Sequence, residues 1–202
     1  VRRKLDLINN KKDSILLAPT GNHMLKNFNI SNDLLNIIDN LLNKTKNKII
    51  FRPHPFDLTK KGNINYVNKI ADKFKGYKNF TIDLSISYLK SYSKAKLLIT
   101  DFSGTAYTFA FSTLSPIIFY SRNEEKFKKT KYSNLSYFKD RLRIGYISKN
   151  VTHLTNLINK SDLINKKMKN KIISLRKKRI KYLDKSLKKT HDEILDILNT
   201  KK

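Results

Sequence analysis

The chain has 202 residues, with 43 Lys and Arg against 16 Asp and Glu, and so a formal net charge of +27. It contains no cysteine, which excludes a disulfide framework and thiol-based metal or redox chemistry. Its 4 histidines are scattered without metal-ligand spacing, and no apolar run reaches the ~20 residues that span a bilayer. One core of ordinary size is expected at this length, with no metal, no cofactor and no signal peptide.

In chain order, the first strand signal is Ile15 to Ala18. After it come Pro19, Thr20, Gly21, Asn22 and His23, a polar turn in which Gly21 allows a positive φ. Thr20, Asn22 and His23 either line a rim or cap the next helix. Ser31, Asn32 and Asp33 open a helix predicted over 31–44. A strand predicted over 48–53 has the apolar core Ile49 to Phe51 and runs into Arg52, Pro53, His54 and Pro55. The two prolines fix their own φ and push the preceding residues toward extended backbone, so His54 is held in place. Arg52 suits bidentate pairing with phosphate, and His54 suits donation to a phosphate oxygen or proton exchange near neutral pH. An ordinary rigid turn is the alternative use of the same residues.

A helix over 63–75 ended by Gly76, a strand over 79–82 and a helix over 85–94 follow. Leu97 to Tyr120 is the most informative stretch. It reads as a doubly buried strand over 97–100 closed by Asp101, a helix over 104–112 opened by Ser103, Gly104 and Thr105, and a strand over 116–120 started by Pro116. A helix N-terminus directly after a buried strand presents free backbone N–H groups and the positive end of the helix dipole, and small residues there let a phosphate approach. Capping alone is the other use of Asp101 and Ser103. The lysine-rich stretch Asn123 to Ser136 reads as a mobile loop over the rim, ahead of a strand over 144–148. Beyond Asn150 the pattern is helical, through Val151 to Leu157, Asp162 to Leu187 and Asp192 to Leu198.

Strands alternating with helices require crossover connections and therefore a mostly parallel sheet, whose ligands bind outside the carboxyl ends of the strands. The fold class expected is α/β, a Rossmann-like, mostly parallel sheet with flanking helices and a helical carboxyl-terminal tail. Residues 1–150 form the sheet unit and 151–202 a basic tail packed on it. The three polar strand ends then share one rim, and one site.

The segments LLAPTGN, IIFRPHP and LLITDFSGTAYTFAF followed by PIIFY, in this order and spacing, resemble the carboxyl-terminal domain of the CDP-glycerol glycerophosphotransferase family, the teichoic-acid type polyol-phosphate transferases. The resemblance covers most of residues 13–150 and, more weakly, the tail. It implies a GT-B-like architecture of two Rossmann-like domains, of which this one binds the nucleotide-activated donor, CDP-glycerol or a nucleotide sugar, for transfer to a polymer or lipid-linked acceptor. By the same resemblance His54 belongs to the reaction centre with Arg52 close to it, and Ser103, Gly104 and Thr105 hold the donor pyrophosphate on a turn shaped by Asp101. Thr20, Gly21 and Asn22 would line the donor-site rim, and Glu124 or Glu125 would reach the nucleotide ribose. Phe102 and Gly104 depart from the Tyr-Ser-Ser run usual after the aspartate, which bears on donor identity. The His-Gly motif of the family's amino-terminal, acceptor-binding domain does not occur here. The expectation is a fragment, a truncated product, or a partner domain on a separate polypeptide.

The charge invites a nucleic-acid reading, because Lys and Arg neutralise phosphates and release counterions. The lysines are nevertheless interleaved with Asn and Ile through the whole chain, and none of the compact nucleic-acid motifs appears. In the tail, Ile172, Ile173, Leu175, Ile180 and Leu183 would form an apolar stripe, leaving Lys166, Lys167, Lys169, Lys171, Arg176, Lys177, Lys178 and Arg179 on a solvated face. A surface for anionic lipid or a polyanionic acceptor is the functional alternative. The expected place is the cytoplasm or the inner face of the cell membrane, without nucleic acid. The alternatives are a nucleotide-sugar epimerase or Kdo-type capsule transferase on a similar scaffold, and a noncatalytic basic module binding nucleic acid or anionic membrane.

Overall fold

The computed structural model describes residues 12–22, 24, 27–59, 61, 63–182 and 185–199. Among them six strands, β1 (Ser14–Leu17), β2 (Lys48–Phe51), β3 (Phe80–Ile82), β4 (Ala95–Thr100), β5 (Ile117–Tyr120) and β6 (Gly145–Ser148), form one sheet in the order β3-β2-β1-β4-β5-β6. Each neighbouring pair is parallel. The helices are α1 (Leu34–Lys44), α2 (Ile64–Phe74), α3 (Leu89–Lys94), α4 (Thr105–Thr113), α5 (Glu124–Lys128), α6 (Ser136–Lys139), α7 (Arg141–Ile144), α8 (Val151–Asn159), α9 (Ser161–Arg179) and α10 (Ser186–Asn199), with single 3-10 turns at Ser31–Asp33, Pro55–Leu58 and Lys131–Asn134.

The strands are apolar at successive positions because both faces are covered. Ile15, Leu17, Ile49, Phe51, Leu97, Ile99 and Ile118 join one core with residues of α1, α2 and α8. Leu16, Ile50, Leu98, Ile117 and Phe119 join the other with residues of α3, α4, α7 and α9. In α1, Leu34, Ile37, Ile38, Leu41 and Leu42 repeat at helical spacing and are buried, each worth about 1.5–3 kcal/mol over exposure. The helix stops at Thr45, which is extended and returns its N–H to the Leu41 carbonyl at 3.1 Å. At the other edge, β6 approaches β5 so closely that a Cβ on Gly145 would lie 1.9 Å from the Ile117 carbonyl oxygen, which is why that strand starts with glycine.

Four local expectations are corrected. The helix expected over 85–94 begins at Leu89. The Ser85 N–H bonds to the Asp83 carboxylate (2.9 Å) and the Leu89 N–H to the Ser87 hydroxyl (3.4 Å), side-chain partners that compete with helix. The expected mobile loop over 123–136 is folded into α5, a 3-10 turn and the start of α6, with Phe127 buried. In the tail, α9 ends at Arg179 and not at 187, and α10 begins at Ser186. The stripe that α9 buries is Ile164, Met168, Ile172 and Leu175 together with Arg176, expected on the solvated face but donating to the Phe111 carbonyl at 3.0 Å, whereas Ile173 is half-buried, Ile180 is exposed and Leu183 lies outside the described residues. No helix among the described residues is long and apolar enough to cross a membrane.

Candidate functional site

The strand order reverses direction between β1 and β4, so the segments leaving their carboxyl ends diverge and open a crevice. The three segments marked in the sequence leave β2, β1 and β4, which are adjacent in the sheet. At about 4.8 Å per strand, the segments leaving β2 and β4 start about 10 Å apart, with the segment leaving β1 between them.

Two buried carboxylates organise this rim. Asp101, after β4, accepts the N–H groups of Thr20 (2.9 Å), Ile30 (3.0 Å) and Phe102 (2.8 Å). Burial pushes its carboxyl above the ordinary value, and those amide donors pull it back only in part. Asp57, in the 3-10 turn after His54, accepts the Asn22 N–H with both oxygens at 3.1 Å. The segment after β1 is thus pinned from both sides. Thr20 and Gly21 are buried and Asn22 is half-buried, while His23 lies outside the described residues. No glycine among the described residues takes a positive φ, so this turn is not shaped by the left-handed freedom expected of Gly21.

His54 has extended backbone (φ −64°, ψ 137°) and caps the 3-10 turn, its Nδ1 accepting the Phe56 N–H at 3.2 Å. That bond assigns the ring proton of the neutral form to Nε2. Arg52 meets the expectation of a phosphate ligand with a side chain already paired: its guanidinium donates to Asp83 at 2.7 Å and to the Ile86 carbonyl at 3.2 Å. Burial raises the Asp83 carboxyl, but hydrogen bonds from Ser85, Ser91 and Arg52 outweigh it and hold the group below its ordinary value.

The opening of α4 is accessible at its tip. Ser103 and Thr105 are half-buried, Gly104 is exposed, and a Cβ on Gly104 would meet nothing within 4 Å. Thr105 is fixed by a 2.9 Å hydroxyl contact with Tyr92. Beside this rim a polar cavity of about 370 Å³ is lined by Asn27, Asn29, Asn32, Asp33, Arg122 and Asn123, among others. A larger one, about 530 Å³, lies along β2 and β3 next to α3.

A family model described as CDP-glycerol:poly(glycerophosphate) glycerophosphotransferase matches residues 1–195. The chain belongs to this family. Solved structures share its fold. The wall teichoic acid polymerase TagF, as its H444N variant with CDPG, aligns with 99% of this chain and 46% of its own at 20% identity and a TM-score of 0.56. UDP-GlcNAc 2-epimerase of Methanocaldococcus jannaschii, with UDP-GlcNAc and UDP, aligns with 80% of this chain and 42% of its own at 19% identity and 0.52. MurG of Acinetobacter baumannii aligns with 84% and 47% at 13% identity and 0.51. The chain spans less than half the length of each. No curated protein sequence matches it closely.

The two acidic residues after β5, from which a ribose contact is expected, are both ion-paired. Glu124 is 2% exposed and bound by Arg141 at 2.7 and 3.3 Å, so the ribose contact expected of it is corrected to a buried ion pair. Glu125 is exposed and paired with Lys149 (2.7 Å) and Lys128 (3.3 Å). Several rim residues escaped the sequence reading: Asp57, Asp83, Tyr137, and the triad in which Asp33 accepts from the Tyr120 hydroxyl (2.9 Å) and pairs with Arg122. A carboxylate two residues after the Pro-His-Pro run was a readable signal for Asp57. Tyr137 had none, because its partner is 34 residues away.

Proposed function

We propose that this chain is the donor-nucleotide-binding domain of a GT-B-like transferase that moves glycerol phosphate or a related polyol phosphate from a nucleoside diphosphate donor to a polymer acceptor. The observation that carries the reading is the opening of α4 at the sheet's switch point, with bare space over Gly104, in a chain of the glycerophosphotransferase family. A diphosphate placed there meets the Gly104 N–H, which no described residue takes, and the positive end of the helix, while the Thr105 N–H is held by the Ser103 hydroxyl at 3.4 Å.

In such a transfer, an acceptor hydroxyl attacks the phosphorus that bears the glycerol, and the bond to the nucleotide phosphate breaks. Negative charge builds on the leaving nucleotide, where the α4 terminus stabilises it. His54 is assigned to the proton of the attacking hydroxyl, because its ring is oriented by the Phe56 N–H and its backbone by flanking prolines. Arg52 is assigned to holding the His54 strand end against the segment after β3 through Asp83. The polar cavity lined by Asn29, Asn32 and Asp33 is the adjoining place for the nucleoside.

The reading extends to the carboxyl-terminal helices. α10, which follows the lysine-rich α9 in the chain and carries Lys188 and Lys189 itself, buries none of its residues and exposes Leu187, Ile194, Leu195 and Leu198. An exposed apolar stripe next to basic residues supports peripheral contact with an anionic membrane surface.

Thermal unfolding with CDP-glycerol, a UDP-sugar and duplex DNA tests the function, since a ligand that binds the folded state alone raises its midpoint. The midpoint should rise with CDP-glycerol and stay unchanged with DNA. A rise with DNA alone would replace the transferase reading with a basic nucleic-acid module.

A further inference from the structure

The α4 opening is latched from outside its own segment. The Tyr137 hydroxyl donates to the Ser103 carbonyl, and the Tyr107 hydroxyl, from the first turn of α4, donates to the Tyr137 carbonyl. The two tyrosine rings pack with centroids 4.8 Å apart. Next in the chain, Phe138 packs on Phe102 (5.7 Å) and Phe127 (4.7 Å), so the residue that precedes Ser103 is gripped as well. Arg141 sits among the rings of Phe102, Phe119, Phe127 and Phe138, 5.2–5.8 Å from each, and is neutralised by Glu124.

We infer that Tyr137 is a positioning residue for the donor diphosphate, aiming the Gly104 N–H by holding the Ser103 carbonyl. The inference rests on the donor-site reading above. The Ser103–Gly104 peptide is planar and trans, so its carbonyl and its N–H point in opposite directions. The carbonyl is taken from within by Tyr137 and by the Ala106 N–H at 3.1 Å. The Gly104 N–H therefore faces outward from the helix, and no acceptor among the described residues takes it. Without the tyrosine hydroxyl one helical bond remains, a bond of the kind that shifts in the first turn of a helix. Burial also pushes the Tyr137 hydroxyl well above its ordinary range, so it keeps its proton and remains a donor.

Tyr137→Phe in the 202-residue chain keeps the ring and deletes the donor. By calorimetry CDP should bind about five- to tenfold more weakly, the scale of one hydrogen bond, and cytidine should change less than about twofold. In the ligand-free chain the amide resonance of Gly104 should move, a signature that a general loss of stability would not produce. Tyr107→Phe, which releases the Tyr137 carbonyl, should give the same CDP-selective loss and decides the matter if Tyr137→Phe does not fold. Unchanged CDP affinity, an unmoved Gly104 resonance, or equal losses for CDP and cytidine would overturn the assignment of Tyr137. Failure of the unsubstituted chain to bind CDP would instead remove the donor-site reading on which it stands.

Discussion

His54 shows how much a few neighbours settle about one side chain. Pro53 and Pro55 restrict the backbone, the turn that follows supplies the Phe56 N–H to Nδ1, and Asp57 in the same turn ties the histidine's loop to Asn22. A half-buried side chain oriented this way is suited to proton transfer. His54→Ala should therefore lower transfer from CDP-glycerol by about a hundredfold to ten-thousandfold, the usual contribution of general acid or base assistance. Donor affinity should stay within about tenfold, since the α4 opening carries it. Steady-state rates and equilibrium binding separate the two. Near-normal turnover would make His54 a structural rim residue and leave the donor site standing.

Among the elements, the segment from α5 to α7 changes most between sequence and structure. Its lysines and weak periodicity over 123–136 read as a loop, yet the segment is organised around Arg141, a charge buried at 4% exposure. Removing one partner of a buried ion pair leaves the other uncompensated, which typically destabilises by about 3–5 kcal/mol. The four phenylalanine faces around the guanidinium offset part of that cost. Glu124→Gln should accordingly lower stability by about 2–4 kcal/mol in urea unfolding, with CDP binding weakened as the α4 opening loses its support. Stability within about 0.5 kcal/mol of the parent would show that the pair contributes no more than an ordinary surface contact.

At the scale of the whole molecule, a chain of net charge +27 depends on its few carboxylates. The folded pKa of Asp83 lies below its unfolded value of about 3.9, so its stabilisation is complete above that pH and is lost as pH falls through the folded pKa. Asp13, lowered by its hydrogen bond from Lys48 against a small opposing effect of burial, acts in the same direction. Asp101, raised by burial, acts in the opposite one. Comparing the parent with Asp83→Asn removes what the two share and isolates Asp83. The variant should be less stable at pH 7, and the difference should shrink between pH 4 and pH 2. A difference independent of pH would mean that Arg52 and Asp83 stabilise by packing and not by charge.

What was legible in the sequence is whatever local periodicity and punctuation dictate. All six strands were read at their places, the inner four from short apolar runs, because a strand covered on both faces has few polar positions to confuse it, whereas the edge strands β3 and β6 are only partly buried and carry polar residues. The Pro-His-Pro and Asp-Phe-Ser-Gly-Thr runs marked two strand ends that the sheet does bring to one rim. The boundaries of α3, α9 and α10 were not legible, since propensity alone competes there with side-chain caps and with packing on the sheet. Tertiary structure alone decided which polar residues face the rim and which are consumed by the fold. Arg52 and Glu124 carry the charge a phosphate or a ribose site needs, but each found a closer partner, Asp83 and Arg141, from a segment distant in sequence. Asp57 and Tyr137 work in the reverse sense: marked in the chain only by a place after Pro-His-Pro or not at all, they hold the rim because folding brings Asn22 and Ser103 to them. Pairings across 17 to 35 residues follow from the closing of the sheet and not from any local pattern, which is where a single sequence stops being informative.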